Sequence, residues 1–446
     1  MHLILLSGGS GKRLWPLSND VRSKQFLQLL PAGDGTCESM VSRVYRQIRE
    51  AGSWDSITVA ASALQKDLLQ LQLSQDVNIV EEPERRDTFP AIALACAFLC
   101  DKKGVPETDV AAVMPVDSFV EAAYFKAVAT IPEVLQDRPE SLALLGATPS
   151  QPSEKYGYIV PQEPGAPLSR VKCFREKPNA AVAKQLMAQG ALWNCGVFGL
   201  RLQYVLDILR NKYGMEDVSY KSVLENFGQL NKISFDYEVV EKARDIWVIR
   251  YKGSWKDLGS WETLTEEMAT PILGRSLMDS ACESSHVINE LDIPVIGMGL
   301  KNMVVAAGRD GILVAEKGET HRLKDFVGGF RQRPMFEEKR WGTYEVLGSS
   351  FYAGGTEALT KKLTILEGLQ ISYQYHQHRK ELWTILAGEG LLLIEGEKRL
   401  VGLGDVVRID EGMKHGIKAL KKLELIEVQL GSPLLEEDIV RLDENW

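Results

Sequence analysis

Over roughly the first 150 residues, short β-branched apolar runs alternate with longer segments of helical period, and no other feature of the chain restricts its fold as tightly. "LILLS", "ITVAA", "VNIVEEP" and "VAAVMPVD" are separated by "MVSRVYRQIREAG", "ALQKDLLQLQL" and "AIALACAFLCDKK". A parallel neighbour is reached only through a crossover, so this order predicts a parallel sheet with helices on both faces. Ligands of such sheets sit beyond the carboxyl ends of the strands. "SGGSGKR" and "PVDSF" both occupy such ends.

The remainder follows other patterns. Residues 151–265 carry "YGYIVP", "CFREKP", "WNCGVFGL" and "GSWKDLGSWETL", read as a substrate half laid over a nucleotide half. Residues 266–330 read as short strands and turns, a β-rich linker whose apolar run "HVINELDIPVIGMGLKNMVV" offers either packing against a neighbouring domain or a homodimer surface. From 331 to 446, evenly spaced strands with Gly-rich turns and period-2 alternation predict a small antiparallel barrel or jelly roll.

With 446 residues the chain exceeds one ordinary core. Its formal net charge of −9 argues against a general nucleic-acid binder, while leaving room for a local basic pocket that grips a small phosphorylated molecule. No apolar run approaches the ~20 residues of a membrane span, and "MHLILLSGG" lacks the cationic start of a secretory signal, so the expected location is the cytoplasm. Cys37, Cys96, Cys100, Cys173, Cys195 and Cys282 form no CxxC pair and read as buried, reduced thiols.

The turn after the first strand fits neither common phosphate loop. A Walker A loop would need glycine where Leu6 stands and Ser or Thr where Arg13 stands, and a dinucleotide fingerprint from Gly9 through Gly11 meets Leu14 in place of its third glycine. What remains is a glycine-rich turn whose backbone N–H groups can wrap phosphate oxygens, with Arg13 as a charge-matched fork.

The full string "GGSGKRLWPLS" followed by "SKQFL" resembles the signature of the sugar-1-phosphate nucleotidyltransferases, and its "LWPLS" wording resembles the mannose-1-phosphate guanylyltransferases. "EPERRDTFPAIALA", "MPVDSF", "YGYI", "FREKP", "WNCGVF" and "WKDLGSW" continue the likeness over residues 3–265. The resemblance implies an α/β fold: a Rossmann-like nucleotidyltransferase domain over 1–265 with a mixed, mainly parallel sheet. It also implies transfer of a nucleotidyl group from an NTP, GTP by the wording, to a sugar 1-phosphate, with Mg²⁺ as cofactor.

By the same resemblance, Leu6, Ser7, Gly8, Gly9, Gly11, Lys12 and Arg13 bind the nucleotide together with Arg86, Asp87 and Thr88. Arg13 holds the leaving pyrophosphate, Lys24 reaches the phosphates, and Lys177 orients the sugar phosphate. Glu176 and Asn194 suit sugar hydroxyls, and Gly157 lets the backbone approach the ring. Asp117 and Asp257, 140 positions apart, each end an apolar strand and are expected to share one Mg²⁺. Ser23 stands where the family usually has proline, which predicts a looser loop. Another base or sugar, or a non-catalytic regulator that binds sugar nucleotides, remains open on these residues.

In the last third, His376 and His378 are two apart, so on a strand both rings face one side, and Glu381, Gly388, Gly404, Gly412 and His415 follow at cupin spacing. Three nitrogens and one carboxylate suit Zn²⁺, Mn²⁺ or Fe²⁺. From "EKRWGTYEVL" onward the chain resembles the type II phosphomannose isomerase domain, a cupin fused behind long members of the transferase family. The family's "HHHR" and "EHW" become "HQHR" and "ELW" here, Gly416 replaces an arginine after the last histidine, and Arg379 and Lys380 remain as candidate phosphate partners, so both mannose 6-phosphate/fructose 6-phosphate isomerisation and a non-isomerase cupin, altered or kept for binding, stay open.

Overall fold

The computed structural model describes residues 1–9, 11–52, 54–74, 77–330, 333–435 and 438–443. Among these, nine strands form one mixed sheet in the order Asn78–Glu82, Ser56–Ser62, His2–Leu6, Val110–Pro115, Leu192–Arg201, Leu142–Ala147, Ile246–Tyr251, Leu168–Arg175, Tyr158–Pro161. The parallel pairing expected from the sequence is confined to the first four strands and to the 142–147/246–251 pair. Strands 192–201, 168–175 and 158–161 pair antiparallel with their neighbours.

Alternation inside the buried strands sorts side chains onto two cores. Ile4, Val80, Val113, Leu144 and Val248 face one helical layer, and Leu3, Leu5, Val59, Met114 and Leu145 face the other. The helix Thr88–Lys103 is apolar nearly all round and is accordingly sandwiched between the sheet and the helices Leu202–Tyr213 and Tyr220–Glu225. The Asp87 carboxylate caps its start by accepting from the Thr88 N–H at 2.8 Å, and Gly104 ends it at φ 67°.

The linker is a coil of short strands. Ile272–Leu273, His286–Asn289 and Met303–Gly308 pair in parallel, and Gly311–Glu316 closes them antiparallel. Its inner residues Ile288, Val304 and Leu313 share a core with Leu14, Leu17 and Trp261, so "LWPLS" docks the phosphate turn onto the linker. A Cβ at Gly311 would lie 2.4 Å from the Trp15 ring, and one at Gly308 2.7 Å from Leu17. Leu277 and Ile296, neighbours in register, stay 67% and 66% exposed.

The last third is two antiparallel sheets packed face to face, the jelly roll that its alternation predicts. Trp383, Ile385, Leu392, Ile417, Leu423 and Leu425 form its core. It is tied back to the linker and the phosphate turn. Arg309 pairs with Glu345 at 2.6 Å, Asp310 accepts from the Met335 N–H at 2.8 Å, and Arg22 stands 3.8 Å from Glu338. All six cysteines are free, but Cys37 and Cys173 are exposed, contrary to the expectation that all are buried: Cys37 lies on a two-residue strand, and Cys173 lies on a stretch of strand 168–175 that is largely open to solvent. No helix among the described residues is long and apolar enough to cross a membrane.

Candidate active site

The glycine turn begins where the first strand leaves the sheet. The Ser7 N–H donates to Ala60 O at 2.9 Å, and Gln25 Nε2 donates to Ser7 O at 2.6 Å. Gly9 adopts φ 144°, and a Cβ at Gly11 would fall 1.5 Å from the Asn19 carbonyl oxygen, so only glycine fits there. Ser10 lies outside the described residues. Leu6 and Lys12 are half-buried, and Arg13 is exposed at the end of the turn.

Lys24 is carried by a single helical turn, Lys24–Phe26, that two buried polar neighbours hold in place. Ser23 has φ −73°, within the range proline would impose, and its hydroxyl accepts from Gln65 Nε2 at 2.8 Å. The loosening expected from the missing proline is therefore absent: a side-chain hydrogen bond replaces the ring.

Asp117 and Asp257 do converge. Strands Ser118–Val120 and Trp255–Asp257 form an antiparallel ladder with Asp257 opposite Ser118. The Lys24 ammonium donates to Asp117 Oδ2 at 2.7 Å and to Asp257 Oδ1 at 3.3 Å, so those oxygens are at most about 6 Å apart. Gly259 makes room for the second carboxylate, since a Cβ there would lie 2.9 Å from it. Burial opposes the charge on Lys24, but Asp117 and Asp257 outweigh it and raise its pKa. Burial likewise works against ionised Asp117, while Lys24 and Arg13 hold its pKa below the ordinary value. At 32% and 30% exposure the two carboxylates remain open to a ligand, and paired hard oxygen donors fit Mg²⁺.

The expected sugar contacts also meet. A Cβ at Gly157 would lie 2.3 Å from Glu176 Oε2 and 3.3 Å from Asn194 Cβ. Glu176 Oε2 is buried without a hydrogen-bond partner, and Oε1 pairs with Lys177 Nζ at 2.9 Å. Burial alone would lower the Lys177 pKa, but the hydrogen bond and charge of Glu176 raise it. Asn194 Nδ2 donates to Asp236 at 2.7 Å. Asp236, overlooked in the sequence because it opens a short helix far from any strand end, is pushed up to about 7, by burial first and then by Glu176. Tyr156 stacks edge-on against Trp193 and Trp255 at 5.0 and 5.1 Å, joining this pocket to the strand that carries Asp257.

In the segment 82–95, the three residues expected at the nucleotide also brace the fold. Arg86 donates to Glu84 at 2.8 Å and to Leu230 O at 2.8 Å, Asp87 caps its own helix, and the Thr88 hydroxyl accepts from the Phe235 N–H. These three residues are engaged in holding the fold. Glu82, at the carboxyl end of its strand, is the residue that faces the turn: its Oε1 lies 3.9 Å from the Cβ position of Gly8. Burial pushes its carboxyl up to about 7. The strand-end rule that singles out Asp117 could have found it.

In the jelly roll, His376, Glu381 and His415 bring one ligand atom each within 4.8 Å of one another, all buried. His378 is not among them. The strand Gln370–His376 stops at His376, and residues 377 and 378 form an exposed turn whose N–H groups donate to Asp438. The period-2 reading fails because the strand ends too early for it. Gln374, two residues before His376 on the same strand, is buried and sits opposite His415 in register, so it takes the place expected of His378.

His415 Nδ1 contacts the Met413 carbonyl at 2.9 Å, which assigns the proton to Nδ1, and the buried Nε2 is left without a hydrogen-bond partner, 3.7 Å from Glu381. That free lone pair, with the carboxylate and His376, fits a divalent transition metal. Arg379 is buried and donates to Glu381 at 2.9 Å, while Lys380 is exposed. Burial would raise the Glu381 pKa, but His376, His415 and Arg379 hold it well below the usual carboxylate range.

Residues 2–271 match the family model described as nucleotidyl transferase, and residues 333–444 match the one described as mannose-6-phosphate isomerase C-terminal. The chain is 30% identical to mannose-1-phosphate guanylyltransferase of Escherichia coli (strain K12), with 100% of this chain and 98% of the relative covered. It is 29% identical to xanthan biosynthesis protein XanB of Xanthomonas campestris pv. campestris (strain B100), with 99% and 98% covered. A solved structure described as mannose-1-phosphate geranyltransferase from Thermus thermophilus superposes with a TM-score of 0.63 at 27% identity, covering 73% of this chain and 98% of that one.

Proposed function

The chain belongs to the nucleotidyl transferase family, and on that premise we propose that it transfers a guanylyl group from GTP to mannose 1-phosphate, forming GDP-mannose and pyrophosphate in the cytoplasm. The observation that carries this reading is the meeting of Asp117, Lys24 and Asp257 beside the glycine turn. A phosphate oxygen of the sugar 1-phosphate attacks the α-phosphorus, and the bond to the bridging oxygen of pyrophosphate breaks. The nucleophile is already an anion, so no general base is needed. The protein's task is to bring two polyanions together and neutralise the charge that develops.

Lys24 and Arg13 supply fixed positive charge on the nucleotide side, and Lys177 supplies it on the sugar side. Asp117 and Asp257 would hold Mg²⁺, which would supply further neutralisation of phosphate charge. Glu82 supports guanine: its carboxyl, held up to about 7 by burial, would accept from the adjacent N1–H and N2–H₂ donors once these favour its ionised form, a pair that adenine and uracil lack. Purified protein with Mg²⁺, tested against each NTP and a panel of sugar 1-phosphates, should release pyrophosphate fastest with GTP and mannose 1-phosphate. Release confined to another NTP would overturn the guanylyl assignment.

Two expectations concern the sugar pocket. Gly157→Ala drives its methyl group into the Glu176 carboxylate and should raise KM for mannose 1-phosphate about tenfold, roughly 1.4 kcal/mol, with KM for GTP little changed. Asp236 has a folded pKa near 7, above its unfolded value, so its ionisation costs stability as pH rises from about 4 through 7. The same ionisation adds a negative charge beside Glu176 where an anionic sugar phosphate must bind. KM for mannose 1-phosphate should therefore rise as pH passes 7, and Asp236→Asn should flatten that rise. A variant whose pH profile of KM matches the parent's would remove Asp236 from the pocket.

For the jelly roll we propose a metal-binding cupin that takes a hexose 6-phosphate and interconverts its aldose and ketose forms, a reading supported by the family match over residues 333–444 and by the donor set. His376, Glu381, His415 and Gln374 would hold Zn²⁺, Mn²⁺ or Fe²⁺, and such an ion would supply Lewis-acid polarisation of a sugar carbonyl. Interconversion of mannose 6-phosphate and fructose 6-phosphate by the metal-loaded protein tests this reading independently of the transferase.

A further inference from the structure

Between the transferase domain and the jelly roll lies a cavity of about 600 Å³, large enough for a hexose phosphate. One side is lined by Arg379, Trp383 and Gln429, the residues that donate to Glu381 of the metal cluster. The opposite side belongs to the transferase domain and is formed by Leu64, Lys66 and Gln70, from the start of the helix Lys66–Gln72 and the turn before it. Six lysines and arginines line the cavity against three carboxylates, a local positive excess in a chain of net charge −9. Such a reversal of sign in a partly open cleft favours an anionic ligand.

We propose that this stretch of the transferase domain is part of the cupin's binding site, so that a hexose monophosphate over the metal cluster is held jointly by Lys66 and Gln70 from one domain and by cations of the barrel from the other. The inference rests on the reading that the cupin takes a phosphorylated hexose. Lys66 is well placed for the role: Glu81 holds it at 2.6 Å, yet its side chain is 44% exposed. The helix behind it is anchored by buried Leu68 and Leu69, so the wall is rigid. Its preceding turn holds Gln65, which bonds Ser23 next to Lys24, so the same element supports both sites.

Isothermal titration of the full-length, metal-loaded protein with mannose 6-phosphate tests the assignment. The Lys66→Ala/Gln70→Ala variant should bind about tenfold more weakly, with bound metal and thermal midpoint unchanged, and KM for interconversion should rise with kcat held within about threefold. Lys66→Arg, which keeps the charge, should restore most of the affinity. Unchanged affinity in the double variant, with the parent binding normally, would overturn the joint site and leave the cupin reading intact. Absence of binding by the parent protein itself would overturn both.

Discussion

Asp117→Asn should lower the rate of pyrophosphate release by about 10³-fold, on the scale of losing one preorganised charge contact to a phosphoryl transition state. The substitution keeps the shape of the side chain and removes its charge, so the ladder between 118–120 and 255–257 should survive. Asp257→Asn should behave alike, and the double variant should be little worse than either single one, because the two carboxylates act as one unit. Steady-state kcat with saturating GTP and mannose 1-phosphate, alongside far-UV circular dichroism, measures the effect. A loss under threefold with the fold intact would show that the carboxylates do not serve the α-phosphate.

Glu381→Ala should empty the cupin of metal and destabilise that domain by about 3–5 kcal/mol, because it strands a buried guanidinium without its counter-charge. Arg379 is 3% exposed and gives its Nε hydrogen bond to Glu381, while Trp383 and Gln429 donate to the same carboxylate. Glu381→Gln keeps the volume and should lose metal with a smaller drop in stability. Metal content by mass spectrometry and a thermal melt separate the two effects. Metal retained in full by both variants would take Glu381 out of the ligand set.

Much of this architecture is legible locally. The alternation of buried runs and helical segments announces the crossover sheet, and strand-end positions mark the glycine turn and Asp117. Gly157, Glu176 and Asn194 are grouped by motif, and they meet within a few ångströms. Local rules fall short where they meet a tertiary constraint. Arg86, Asp87 and Thr88 carry suitable chemistry, and packing also gives them a helix cap and bonds to residues near 230. His378 follows the strand period, yet the strand stops before reaching it, at His376.

By itself the sequence determined the kinds of elements, their order, and which strand ends carry charged or glycine residues, since periodicity and turn chemistry act over a few neighbouring positions. Only the tertiary structure decided that Asp117 and Asp257 would flank one lysine, that Glu82 would face the phosphate turn, and that a transferase helix would border a cleft against the barrel. Each of those outcomes depends on pairing or packing between segments tens to hundreds of residues apart. Such contacts are set by which buried faces fit together and by where charge can be compensated out of water, and no short-range pattern along the chain records them.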